Sequence, residues 1–237
     1  MIPIRDDTPR HSTPYVTYFI IALNAVVFLF ELSVGMQGRH ALNGLIYEFG
    51  VVPLRFERAM AGPSSNTLAG VSLTILTSMF LHGGWLHIIG NMWFLWIFGD
   101  NVEDYLGHLK YLLFYLISGC AAAVAYILLD VSSSQPTIGA SGAIAGVMGA
   151  YFVLYPRARV LTLVFLIVFF TFWWLPAWVF LGYWFLLQFL SGTATSIAGA
   201  QNTGGIAFWA HVGGFVAGIL LIKLMPERPR RYRYASW

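Results

Sequence analysis

Four polar residues stand out within long apolar stretches of the chain. Ser141 lies in the segment TIGASGAIAG, and His211 lies in the segment FWAHVGG. His87 and Asn91 are four residues apart, so they share one face of a helix. A serine hydroxyl becomes a nucleophile when a histidine takes its proton, and the resulting oxyanion needs fixed N–H donors. The set predicts acyl transfer by a Ser141–His211 dyad. Its oxyanion hole would consist of His87, Asn91 and the backbone N–H of Ser141.

The composition places these residues in a membrane. Hydrophobic residues make up 58% of the 237 residues and charged residues only 10%, whereas soluble domains carry about 25% charged residues. The net charge of +3 gives no indication of nucleic-acid binding, and the single cysteine, Cys120, excludes an internal disulfide. We therefore expect an all-α membrane protein in contact with the lipid bilayer, without a metal, a cofactor or a nucleic-acid partner.

Six apolar segments predict a six-transmembrane-helix bundle, in which the fourth helix is short and central. We interpret the spans as residues 15–36, 73–99, 111–129, 139–155, 174–190 and 206–224. The apolar run over 160–190 is too long for one crossing and contains Pro176, so its first part is expected to be an interfacial loop.

Positive charges predict the orientation of these spans. The side that would hold both termini carries ten of the 13 Lys and Arg residues, and the other side carries three. Since cytoplasmic segments are enriched in Lys and Arg, both termini are expected in the cytoplasm and the protein in the inner cell membrane. Residues 1–14 would form a cytoplasmic tail, residues 15–226 the membrane core and residues 227–237 a basic cytoplasmic tail.

The polar residues fall at similar depths in three of the spans. Ser141 is 16 residues before Arg157, and His211 is 12 residues before Lys223, which correspond to about 24 and 18 Å of helix. The HIIGN segment, which contains the other histidine and the asparagine, falls in the same layer. Polar side chains at this depth usually face the interior of the bundle and contact one another. We therefore expect the four groups to converge nearer the outer face.

Glycines predict how the spans approach each other. Gly142 with Gly146, and Gly214 with Gly218, are pairs at four-residue spacing, which usually indicate close helix packing. The pairs would press span four against span six and bring the serine to the histidine. Gly139 and Gly142 would also let backbone and substrate approach the serine closely.

Each candidate also has a structural interpretation. Ser141 alone is typical of helix packing or a hydrogen bond, and His211 could serve a proton pathway or bond a carbonyl group. His82 would either anchor the outer loop or contact substrate. Asp130 has the position of an ordinary solvated helix end, so a dyad is expected rather than a triad.

Together these motifs resemble the rhomboid intramembrane serine proteases over roughly residues 15–226. GASG resembles the nucleophile motif, AHVGG the histidine motif and HIIGN the His-x-x-x-Asn motif of that family. GDNVEDYLG matches its Gly-x-x-x-Glu-x-x-x-Gly motif. Four short motifs in the same order are specific where one would be weak.

The resemblance implies a minimal six-span serine endopeptidase of bacterial type that cleaves transmembrane segments of other proteins. Ser141 would attack the scissile carbonyl, and His211 would act as general base and then as general acid. Substrate would enter laterally near spans two and five. Two family features are missing, because Leu73 and Thr74 replace an outer-loop Trp-Arg pair, and Ala145 replaces an aromatic residue stacked on the catalytic histidine.

Two other functions are compatible with the composition. A catalytically silent relative would bind transmembrane helices, and its signature would be loss of the serine or the histidine, both of which are present. A small proton-coupled transporter would place His87 and His211 in its pathway. The oligomeric state stays open, because glycine faces pack within a chain as readily as between chains.

Overall fold

The computed structural model of the protein describes residues 1–62, 67–166, 169–198 and 207–228. These parts of the chain are mainly helical. Their helices are α1 (Tyr15–Gly35), α2 (Arg39–Phe49), α3 (Pro53–Ala61), α4 (Leu68–Thr77), α5 (Trp85–Leu106), α6 (His108–Leu129), α7 (Ser141–Leu154), α8 (Ala177–Ala198) and α9 (Phe208–Leu224). Their strands are β1 (Ile2–Asp6), β2 (Arg159–Leu166) and β3 (Phe169–Pro176).

Within the described ranges, three helices are long and apolar enough to cross a membrane, namely α1, α6 and α8. The bent pair α4 and α5 would make a fourth if it counts as one span. Helices α7 and α9 are apolar but shorter. The protein is therefore a mostly helical integral membrane protein.

Residues 73–99, interpreted as span two, do not form one straight helix. A bend of 80° separates α4 from α5, and Gly84 in the bend has a φ of +151°, which side chains rarely tolerate. The buried Glu31 carboxylate on α1 accepts the backbone N–H of His82 at 3.0 Å. The bend thus has its own buried hydrogen-bond acceptor, and the helix that carries HIIGN begins only at Trp85.

The fold is mostly helical, as expected, but it is not all-α. Residues 159–176 were expected to be an interfacial loop leading into a helix. Within them, residues 159–166 and 169–176 form two antiparallel strands, which pair from Arg159 with Pro176 to Leu166 with Phe169. Strand β1 pairs with the free edge of β2, so residues 2–6 of the expected N-terminal tail complete a three-stranded sheet.

The pattern of residues along β2 explains why the sequence did not predict a strand there. Val160, Thr162 and Val164 are buried, whereas Phe165 and Leu166 are exposed. Burial alternates with the two-residue period of a strand. The apolar residues do not alternate, because both faces of the strand are apolar, and such a run cannot be distinguished from a helix by periodicity.

Helix α7 lies at the centre of the packed core. It is 14 residues long, and every residue from Gly142 to Tyr151 is buried. A Cβ atom at Gly214 would collide with the carbonyl oxygen of Gly142, and one at Gly218 would collide with that of Gly146. Because both contacts advance by four residues, α7 and α9 run parallel with their backbones touching. This packing places the first turn of α7 beside the first turn of α9.

Carboxylates occupy the other end of α5. Glu103 is fully buried and accepts hydrogen bonds from the N–H groups of Val16 and Thr17, from the Thr17 hydroxyl, and from Nδ1 of His108, at 2.6 to 2.9 Å. No side chain of α1 caps its own N-terminus. Glu103 therefore caps α1 from a neighbouring helix, which is the role of the acidic residue in the GDNVEDYLG segment. Gly107, with a φ of +79°, then turns the chain into α6.

Candidate active site

Ser141 is the first residue of α7, so its backbone N–H lies at the positive end of a helix dipole. The preceding loop is fixed at two points. Thr137 pairs with Val51 in an antiparallel bridge, and the N–H of Gly139 donates to the carbonyl of Ser78 at 2.8 Å. These contacts hold the start of α7 against the bend between α4 and α5.

The serine and the histidine singled out in the sequence lie together. Oγ of Ser141 is 2.7 Å from Nε2 of His211. The contact follows from the glycine packing, since α7 and α9 run parallel and each residue lies in its helix's first turn. A hydroxyl at this distance can donate its proton to the imidazole.

Helix α8 supplies two further contacts to the imidazole that sequence reasoning missed. Nδ1 of His211 lies 2.8 Å from Oε1 of Gln188. The indole of Trp184, one turn earlier on α8, lies 5.8 Å from the imidazole between ring centroids. A signal for Gln188 was present in the sequence, because it is the only amide in the apolar stretch from residue 177 to residue 190.

His87 is arranged to donate a hydrogen bond toward the serine loop. The backbone N–H of Gly83 donates to Nδ1 of His87 at 3.3 Å. In the neutral ring the proton therefore resides on Nε2. A Cβ atom at Gly139 would lie 2.7 Å from this Nε2, so the nitrogen faces the chain two residues before Ser141.

Asn91 presents a second donor at the same place. Its Nδ2 would lie 3.6 Å from a Cβ atom at Gly139. This nitrogen is buried and finds no hydrogen-bond partner in the part of the chain that the structure describes. An unpaired buried donor costs about 1–3 kcal/mol. This donor is therefore free of partners among the described residues at the position next to Gly139.

Gly139 accommodates these donors for two reasons. Its φ of +124° is unfavourable for any residue with a Cβ atom, and that atom would also overlap the ring of His87. Gly139 thus leaves room for the His87 ring, and its role in the approach of substrate to the serine stays a prediction. Gly142 and Gly214 lie in close helix contacts. A Cβ atom at Gly142 would lie 2.6 Å from Cβ of Ala122, and one at Gly214 would collide with the carbonyl oxygen of Gly142.

The four groups face one cavity of about 650 Å³ between α5, α7, α8 and α9. Its lining includes Ser141, His211, His87, Asn91, Trp184 and Gln188. Such a volume is typical of a ligand site.

The contacts of His82 lie within the bend between α4 and α5. Its backbone N–H donates to Glu31, and Nδ1 lies 3.3 Å from the carbonyl oxygen of Phe80. Its ring packs edge-on against that of His87 with 5.1 Å between centroids. His82 therefore stabilises the bend and packs against the ring of His87.

Comparison with known proteins gives consistent matches. A family model described as "Rhomboid domain" matches residues 70–228. The chain is 31% identical over 171 residues to "Rhomboid protein 1, mitochondrial" of Saccharomyces cerevisiae, which covers 68% of this chain and 45% of that protein. It is 31% identical over 159 residues to "RHOMBOID-like protein 6, mitochondrial" of Arabidopsis thaliana, with coverage of 58% and 50%.

A bacterial relative carries an activity in its name. The chain is 33% identical over 142 residues to "Rhomboid protease GluP" of Bacillus subtilis, which covers 60% of this chain and 25% of that protein. The matches therefore span half or less of each of these three relatives. The family model extends from α4 to α9, the part of the chain that holds the serine, the histidines and the asparagine.

Proposed function

Because this chain belongs to the rhomboid family, we propose that it is an intramembrane serine endopeptidase that cleaves transmembrane segments of other proteins. The observation that carries the proposal is the 2.7 Å contact between Oγ of Ser141 and Nε2 of His211. This contact opens on a cavity toward which two further donors are directed.

Acylation follows from the positions of these atoms. Oγ of Ser141 attacks the scissile carbonyl carbon while Nε2 of His211 takes the hydroxyl proton. The carbonyl oxygen becomes an oxyanion and accepts hydrogen bonds from His87, Asn91 and the Ser141 N–H. When the peptide C–N bond breaks, His211 gives its proton to the leaving amine, and one half of the substrate remains as an ester on Ser141.

Deacylation repeats the sequence with water as the nucleophile. His211 takes a proton from water, the hydroxide attacks the ester carbon, and the same donors stabilise the second oxyanion. Collapse of this intermediate releases a carboxylic acid and returns the proton to Oγ of Ser141. No step requires a metal or a cofactor.

We place substrate entry between α5 and α8. Both helices line the cavity, through Leu86 and Phe94 on α5 and through Trp184 and Gln188 on α8. These are the helices of spans two and five, near which the family admits substrate. A helix that unwinds readily fits this route, since a helical peptide bond is shielded by its own hydrogen bonds.

In a bilayer, α1, α5, α6, α7, α8 and α9 would provide six crossings. Helices α7 and α9 are shorter than the ~20 residues that a span usually needs. They would cross because neighbouring helices surround them and loops reach into the membrane. We place the chain in the inner cell membrane, and the distribution of Lys and Arg supports cytoplasmic termini.

The proposal is tested with purified protein in proteoliposomes that contain a single-span reporter. Ser141→Ala and His211→Ala are expected to lower cleavage by at least about 10³-fold. A serine-directed fluorophosphonate is expected to label the wild type but not Ser141→Ala. The exposed Ser72→Ala and His40→Ala variants serve as matched controls and are expected to cleave normally.

Two outcomes would replace the proposal with another function. Reporter binding by the wild type without cleavage or labelling would indicate a silent helix-binding relative. Solute uptake driven by a proton gradient, again without labelling, would indicate a transporter. Cleavage that persists in both the Ser141→Ala and the His211→Ala variants would contradict the proposed dyad.

A further inference from the structure

The imidazole of His211 is held at both of its nitrogens. Nε2 lies 2.7 Å from Oγ of Ser141, and Nδ1 lies 2.8 Å from Oε1 of Gln188. We propose that Gln188 is a positioning residue, which fixes the tautomer and the ring orientation in which His211 can act as a base. This inference rests on the proposed function and adds a third member to the dyad.

The direction of each hydrogen bond determines the tautomer. An amide oxygen can only accept, so the neutral ring must carry its proton on Nδ1. The lone pair then lies on Nε2, which faces the hydroxyl of Ser141. In the other tautomer, Nε2 would carry the proton and would be unable to accept one from serine. Gln188 therefore selects the reactive form, as a carboxylate does in Ser-His-Asp enzymes.

A neutral acceptor suits the position of Gln188. The residue lies within the apolar helix α8, whose neighbouring Leu186 and Leu187 are about half exposed on the outside of the bundle. A carboxylate at membrane depth is costly unless it is paired. A carboxamide accepts the Nδ1 proton without placing a charge there.

Helix α8 replaces the support that α7 lacks. Ala145, one turn after Ser141, is too small to stack on the imidazole. Trp184 lies one turn before Gln188 and packs beside the imidazole at a tilt of 38°. The two α8 residues hold the ring by its edge and by its face. Because α8 also lines the cavity, its placement affects both substrate access and the base.

The experiment measures kcat and KM against pH for three variants in the proteoliposome assay. Gln188→Met removes the acceptor at similar size, Gln188→Glu keeps an acceptor and adds charge, and Leu187→Met is the matched control on the exposed face of α8. The rate of fluorophosphonate labelling of Ser141 is followed in parallel, because it reports the nucleophile without a substrate helix.

Gln188→Met is expected to lower kcat and the labelling rate by about tenfold or more, with KM unchanged. The loss should stay below the roughly 10⁴-fold that removal of the Asp costs in Ser-His-Asp enzymes, since an amide contributes no charge. Gln188→Glu is expected to restore most of kcat and to shift the acid limb of the kcat/KM profile to higher pH. Leu187→Met should behave as the wild type.

The inference is overturned if Gln188→Met keeps the wild-type kcat, if only its KM changes, or if Gln188→Glu leaves the acid limb where it was. A change in KM alone would make Gln188 a substrate contact. These results differ from failure of the proposed function, in which the wild type itself neither cleaves the reporter nor takes up the label.

Discussion

The two ends of α5 carry polar clusters that are built in opposite ways. At one end, both oxygens of the buried Glu103 carboxylate accept hydrogen bonds, from α1 and from His108. At the other end, Nδ2 of Asn91 and Nε2 of His82 are buried without a partner among the described residues. The Glu103 carboxylate has both of its oxygens paired, whereas within the described structure the Asn91 amide keeps a donor unpaired beside a cavity.

This difference indicates that one end of α5 contributes mainly to stability and the other end mainly to catalysis. A satisfied buried network rigidifies the fold, and an unpaired donor destabilises it. Donors that are already fixed and unpaired can stabilise a developing negative charge with little reorganisation. We therefore expect substitutions in the Glu103 cluster to act on folding and those in the Asn91 cluster to act on turnover.

The largest effect is expected for Glu103→Ala. The substitution leaves the N–H groups of Val16 and Thr17 without their acceptor, so the free energy of unfolding should fall by about 3–5 kcal/mol. Unfolding in detergent measures this loss, and turnover per folded molecule should be unchanged. Glu57→Ala, at an exposed position on α3, is the matched control. Equal stability of the two variants would contradict the capping role.

Asn91→Ala should lower turnover without lowering stability, the opposite of Glu103→Ala. Loss of one oxyanion donor typically lowers kcat by about 10²–10³-fold. The free energy of unfolding should not decrease through lost hydrogen bonding of Nδ2, because this nitrogen has no partner in the described structure. Asn24→Ala is the comparison, since Nδ2 of Asn24 donates to the carbonyl of Ile20. A stable, fully active Asn91→Ala protein would exclude this residue from the oxyanion hole.

Gly139→Ala is expected to affect both properties. Its positive φ should cost about 1–3 kcal/mol of stability. Displacement of the His87 ring by the new Cβ atom should also lower kcat. Gly44→Ala on α2, where a Cβ atom would meet nothing within 4 Å, should be neutral or slightly stabilising. If Gly139→Ala destabilises the protein but turns over normally, His87 does not depend on this glycine.

The smallest effect concerns the exposed Asp7 beside the sheet. Its carboxylate accepts the backbone N–H of Arg159 at 2.7 Å and the Nε–H at 2.9 Å, and these bonds lower the pKa of Asp7. A lowered pKa stabilises the fold above the unfolded-state pKa, and the contribution disappears as the pH falls through the folded-state pKa. Asp7→Asn should remove about 0.2–1 kcal/mol at pH 7 and less in acid.

Asp6 gives a matched control of opposite sign. Burial raises its pKa, so the wild-type carboxyl favours folding more as the pH falls through that raised value. For each variant, the change in the free energy of unfolding relative to the wild type is measured at pH 7 and near pH 3. Asp7→Asn should be more destabilising at pH 7 than near pH 3, and Asp6→Asn should show the opposite dependence on pH. A common direction would show that Arg159 does not act through Asp7.

The sequence determined the membrane setting and the types of residue at the candidate site. Composition alone indicated an integral membrane protein, and helix rise placed Ser141 and His211 in one layer. The glycine pairs predicted which helices would touch, because a missing side chain is a local property that can be read from sequence. The pairing of α7 with α9 could therefore be predicted without coordinates.

Only the tertiary structure decided which residues contact the imidazole of His211 and where the helices and strands begin and end within the apolar segments. The β2–β3 hairpin lies in largely apolar sequence, where periodicity gives no signal. The bend before α5 depends on the carboxylate of Glu31, which comes from another helix. Gln188 reaches His211 across 23 residues of chain, and Glu103 reaches Thr17 across 86. Such contacts depend on the relative placement of whole helices, which no local pattern encodes.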